Sequence, residues 1–152
     1  MLWYGDPGPS KMVNRHAAAA APVSINGRLF VQGDESIMAY DAYNGLFLWE
    51  LENPGAFRMA LKRGYEPGNL IASEDSVFNV VGDECWHIDA ASGQIKRKYH
   101  VPDTRDDRQW GYVAYADGRL FGTSGRRETR SPGNGRRRRP KLMTDTDRLF
   151  LR

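Results

Sequence analysis

Two stretches of this chain repeat one another at an offset of 48 residues. The first runs Asn26-Gly27-Arg28-Leu29-Phe30-Val31-Gln32-Gly33 and continues from Ile37 through Ala39-Tyr40-Asp41-Ala42-Tyr43-Asn44-Gly45-Leu46-Phe47-Leu48-Trp49-Glu50. The second runs Glu74-Asp75-Ser76-Val77-Phe78-Asn79-Val80-Val81-Gly82 and continues from Cys85 through Trp86-His87-Ile88-Asp89-Ala90-Ala91-Ser92-Gly93-Gln94-Ile95-Lys96. Phe30 and Phe78, Asp41 and Asp89, and Gly45 and Gly93 all share the one offset without a gap. A third unit begins at Asp117-Gly118-Arg119-Leu120-Phe121-Gly122, its Phe121 lying 43 residues beyond Phe78. The later half of that unit falls in an arginine-rich stretch, and Asp147-Arg148-Leu149-Phe150-Leu151 reads as a strand resuming.

Each unit reads as short β-strands separated by turns. Gly27 and Gly118 precede Leu-Phe strands, and the Asp-Ala-x-x-Gly segments place a turn between two apolar runs, with glycine free to take positive φ. A period of roughly 40–50 residues with about four strands per unit is the mark of a β-propeller blade. Helical repeats of that length need apolar residues at i, i+3 and i+4 over a dozen positions, and no segment sustains the pattern. Ala17–Ala21 is the best local helix candidate, but Pro22 limits it, and it reads as a linker into the first strand. The 152 residues are one domain's worth of chain, and no apolar run is long enough for a membrane-spanning helix. The lone cysteine, Cys85, rules out an intramolecular disulfide framework.

The segment from Ala39 to Trp49 resembles the A-x-D-x-x-T-G-x-x-x-W repeat of the quinoprotein-like β-propellers, and Asn26–Val31 resembles the first strand of that repeat. That superfamily includes dehydrogenases that use pyrroloquinoline quinone (PQQ) and a non-catalytic propeller that assists outer-membrane protein assembly. The resemblance implies that Trp49 is the tryptophan docking one blade on the next, with Ala39 its small neighbour. It also makes Asp41 and Gly45 the turn residues. Asn44 replaces the usual threonine, a change a turn accommodates. In the second unit Asp89 and Gly93 match, but Arg97 stands where tryptophan is expected and His87 where alanine is. Trp86 is the neighbouring ring able to fill that space. The likeness covers about residues 22–122.

The expectation is therefore an all-β chain of propeller blades, each of four antiparallel strands, forming an incomplete propeller of about three blades. Its parts read as an N-terminal extension over 1–21, repeats over 22–125, a basic disordered loop over 126–141, and the start of a further, truncated strand over 142–152. Propellers have at least four blades, and stacked repeats bury their faces only against neighbours, so three blades leave two raw faces. Charge follows the same division. The net charge is +3, but Arg126 to Lys141 alone carries +7, so the first 125 residues are acidic overall. That stretch holds Ser131-Pro132-Gly133-Asn134-Gly135 and the run Arg136–Arg139 with almost no apolar residue, the composition of a flexible loop. No aromatic residues interleave the arginines, so nucleic acid is not the expected partner.

Chemistry-bearing residues are sparse. His16, His87 and His100 have no spacing suited to a shared zinc site. His87 falls on a strand of the repeat, where packing or a buried hydrogen bond is the plain reading, and Cys85 reads as a small buried apolar residue. Ser92 and Ser124 lie outside any G-x-S-x-G elbow. Asp103, Asp106 and Asp107, with Arg105 and Arg108, read as a solvated loop. Asp6–Lys11 lacks a Walker A pattern. No catalytic, cofactor or metal residue is assigned, and the singled-out positions Ala39, Asp41, Gly45, Trp49, Asp89 and Gly93 are structural. The resemblance implies two functional classes. One is a non-catalytic propeller serving as a protein-binding or assembly platform, with no cofactor and with further blades or a protein as partners. The other is part of a PQQ-dependent alcohol or sugar dehydrogenase, with PQQ and calcium. The resemblance suggests a periplasmic or surface-exposed setting, although Met1–Asp6 lacks the basic and apolar regions of a secretory signal.

Overall fold

A computed structural model describes residues 21–33, 35–53, 70–81, 83–101, 108–126 and 148–151. These residues are all-β, with strands β1 (Val23–Ile25), β2 (Arg28–Gln32), β3 (Ser36–Asp41), β4 (Phe47–Glu52), β5 (Leu70–Ala72), β6 (Ser76–Val81), β7 (Glu84–Asp89), β8 (Ile95–His100), β9 (Arg108–Ala116), β10 (Arg119–Arg126) and β11 (Arg148–Leu151). They form three antiparallel sheets in the orders β1-β2-β3-β4, β5-β6-β7-β8 and β9-β10-β11. The expected helix candidate at 17–21 lies, apart from Ala21, outside the described residues, as do the segments 102–107 and 127–147. The latter lies between β10 and β11 in sequence.

Turn chemistry sets the hairpins. Asn26 and Gly27 at φ 48° and 72°, and Asp117 and Gly118 at φ 50° and 75°, put two consecutive residues in the left-handed region. That is the two-residue turn matching the twist of paired strands, and Asn or Asp followed by Gly is the cheapest pair to hold it. Registers coincide between blades. Phe30 lies opposite Ala39, Phe78 opposite His87, and Phe121 opposite Leu151. The first two sheets also share a register shift one strand further out, after Ala39 and after His87.

The sheets stack as successive blades, with β1, β5 and β9 approaching one another at the inner end and β4 and β8 outermost. Between the first and second lie Phe30, Ile37, Ala39 and Trp49 against Leu70, Val77, Trp86, Ile88 and Ala90. Between the second and third lie Phe78, Val80, Cys85 and Val101 against Trp110 and Leu120. The second sheet thus buries one face against the first blade and the other against the third. Two expectations are corrected. Arg108 is not in a solvated loop, because it opens β9 and is buried. Trp86 does not stand in for the missing tryptophan, because alternation along β7 points it backward, at the first blade.

Candidate functional site

Of the repeat residues, Ala39, Trp49 and Gly93 meet where the first blade joins the second, while Asp41, Gly45 and Asp89 hold turns. Asp41 Oδ1 accepts hydrogen bonds from the backbone N–H of Tyr43 and Asn44 at 2.8 and 3.0 Å. Asp89 Oδ1 accepts those of Ala91 and Ser92 at 3.0 and 2.9 Å. In both turns the glycine N–H, from Gly45 or Gly93, returns to the aspartate carbonyl at 2.9 Å, with the glycine at φ 76° or 74°. Aspartate suits the place because one carboxylate oxygen satisfies two turn donors. Asp89 differs by a salt bridge from Lys96 Nζ at 2.9 Å. That bond, with those from Ser92, holds its carboxyl well below the ordinary carboxylate range.

Trp49 leaves β4 toward the second blade. Its indole Nε1–H donates to Ala90 O at 3.1 Å, and its ring covers Gly93 so closely that a methyl there would lie 2.7 Å from the indole. Gly93 therefore serves two purposes, a left-handed backbone and a flat seat for the ring. Phe30 tilts against the same indole at 5.9 Å. Ala39, directly opposite Trp49 on β3, leaves the room for it. A deeper buried contact joins the blades through amides. Asn53 Nδ2 donates to Asn79 Oδ1 at 2.8 Å, and Asn79 Nδ2 to Gln32 Oε1 at 3.2 Å. Sequence reading missed this trio, because its members lie on β2, just after β4 and on β6, and fall on no repeat anchor.

The next junction is built differently. His87 occupies the position of Ala39 and stacks on Phe78 at 4.6 Å, and Phe78 meets Tyr115 of the third blade at 4.8 Å. Trp110 approaches from the opposite side, its Nε1–H donating to Asp83 O at 3.0 Å. Arg97 stays exposed on β8, its guanidinium 5.1 Å from the Tyr99 ring. A tryptophan is thus present at both junctions, but at the second the later blade supplies it.

His87 Nε2 lies 2.8 Å from Ser76 Oγ, which donates its own proton to Asp75 Oδ1 at 3.0 Å. The hydroxyl, with its single proton given to Asp75, accepts from the imidazole, the reverse of what a general base activating a serine requires. Burial, then Lys96, lowers the His87 pKa below the ordinary 6.5. Donors from Ser76 and Ser73 lower Asp75, and the Trp86 indole N–H with Lys98 lowers Glu84. Burial pushes the Cys85 thiol up to about 12, which removes it as a nucleophile near neutral pH. Among the described residues no three of His, Cys, Asp and Glu converge as cation ligands. The two motif aspartates are committed to their turns.

No protein-family profile matches the chain. No curated protein sequence matches it either. Solved structures do. A quinohemoprotein alcohol dehydrogenase from Pseudomonas putida HK5 superposes with a TM-score of 0.53 at 20% identity, over 70% of this chain and 16% of its own length. Quinohemoprotein alcohol dehydrogenase from Comamonas testosteroni gives 0.54 at 17% identity, over 71% and 17%. A europium-containing methanol dehydrogenase gives 0.51 at 15% identity, over 69% and 20%. The fold these residues share with those structures is that of β-propeller blades, among the described residues two four-stranded sheets and a three-stranded third. The chain spans about a sixth of the length of the two alcohol dehydrogenases.

Proposed function

We propose that this chain is a non-catalytic propeller segment that acts as a docking platform for protein, beginning with a further blade on its third sheet. One observation carries the reading. The repeat phenylalanine always lies on the forward face of its blade. Phe30 is covered by the second blade and Phe78 by the third, but Phe121 faces forward beside Ala114 and Leu151 with no further sheet against it among the described residues. Leu149 and Leu151 on the same face are 74% and 53% exposed. An open apolar face that continues a junction already made twice is suited to a third sheet-on-sheet contact.

Sedimentation of the whole chain tests this. The expected result is self-association or aggregation through the open face, relieved in the Leu149→Lys, Leu151→Lys double variant. A wild-type chain that is monomeric and melts cooperatively overturns it. The alternative, part of a PQQ-dependent dehydrogenase, draws on the identity of the structural neighbours. Titration with PQQ and calcium separates the two, because a saturable change in quinone absorbance would remove the non-catalytic reading.

A further inference from the structure

We propose that the outer edge of β4, in the first blade, takes up an extended basic and apolar peptide segment as a fifth strand. Two outermost strands, β4 and β8, occupy equivalent places, yet their edges are unlike. β8 reads Ile-Lys-Arg-Lys-Tyr-His, and Lys96 and Lys98 are paired with Asp89 and Glu84 at 2.9 and 3.4 Å. Lysines on an edge strand discourage pairing by another chain. β4 reads Phe-Leu-Trp-Glu-Leu-Glu, with no lysine, arginine or proline. No described strand pairs with its outer side.

Two chemistries lie along that open edge. At its start Leu46, Phe47 and Leu48 are 64%, 56% and 43% exposed, and exposed Tyr43 lies in the turn just before them. Phe47 is held edge-on to Tyr40 at 5.7 Å. At its end Glu50 and Glu52 are exposed and make no ion pair among the described residues. Glu50 lies opposite Met38 and Glu52 opposite Ser36, so both glutamates project from one face of the sheet. An incoming strand gains backbone hydrogen bonds from the free edge. Lysines at two alternate positions would lie beside Glu50 and Glu52, and an apolar residue beyond them would lie over Phe47. Charge complementarity thus selects a basic segment over an acidic one.

This site rests on the platform reading but lies on a different sheet from the open forward face, so the two fail separately. The probe is a capped, fluorescein-labelled eight-residue peptide with lysine at two alternate positions and valine at the next, measured by anisotropy against the full chain. Saturable binding is expected. It should weaken at least tenfold for the same peptide with glutamates for lysines, for one N-methylated along its pairing side, and for the Glu50→Lys, Glu52→Lys variant. Circular dichroism and melting check that the variant is folded, and the peptide series on the wild-type chain gives an answer if it is not. No binding, or equal binding by the N-methylated peptide, overturns strand addition at β4. Loss of binding only in the Leu149→Lys, Leu151→Lys variant would move docking to the third blade, leaving the platform reading standing and this one refuted.

Discussion

The first two blades share a turn and a register but meet their neighbours by different means. At the first junction a small residue and a large one lie opposite each other, Ala39 beneath Trp49, and the indole reaches across to Ala90 and Gly93. At the second, the opposed pair is His87 and Arg97, the imidazole fills the space locally, and Trp110 comes from the other side. Interiors are packed to crystal-like density, so a junction must be filled but need not be filled by one residue in one place. The repeat preserves the turn because its backbone hydrogen bonds admit few substitutes. It is freer with the filler.

The largest effect is expected at the first junction. Trp49→Ala removes a buried indole and its hydrogen bond and should cost about 3–5 kcal/mol in chemical denaturation. Arg97→Ala at the equivalent position should cost well under 1 kcal/mol, because that side chain is exposed. Equal losses would erase the contrast.

Gly93→Ala comes next. A left-handed alanine costs about 1–2 kcal/mol, and a methyl placed 2.7 Å from Trp49 adds overpacking of about 1–3 kcal/mol. Gly118→Ala has the same backbone sign but nothing within 4 Å, so only the first part should appear.

A double-mutant cycle then sharpens the comparison. Arg97→Trp should not stabilise the second junction while His87 occupies the room that alanine leaves in the first. With His87→Ala added, the two changes should couple favourably by about 0.5–3 kcal/mol. Strict additivity would show that the junctions are not equivalent spaces.

The smallest effect is a pH dependence. The folded pKa of His87 lies below 6.5, so the unfolded chain takes up its proton more readily. Its contribution is full above about 6.5 and is lost as pH falls toward the folded value. The wild-type melting temperature should therefore drop more than that of His87→Gln between pH 7.5 and 5.5. Parallel profiles would mean that the stacked imidazole is indifferent to charge.

Much of the architecture was legible in the order of residues. Asp41 and Asp89 mark a turn because each must find donors two and three residues on, and Gly45 and Gly93 mark it because the backbone there is left-handed. Such interactions close within a few residues, so a linear pattern carries them. The strand direction of Trp86 was hidden because period-two alternation has a phase, and only the pairing of β7 with β6 and β8 sets it. The burial of Arg108 was hidden for a related reason, since charge count describes a segment and not the strand it enters.

The sequence by itself determined the repeat, the turns and the strand-forming runs, all short-range consequences of side-chain chemistry. Tertiary structure alone decided which face each ring took, that Gln32, Asn53 and Asn79 share one buried contact, and that no described strand pairs with the outer side of β4. Those properties belong to pairs of blades, and the forces that set them act between residues far apart along the chain.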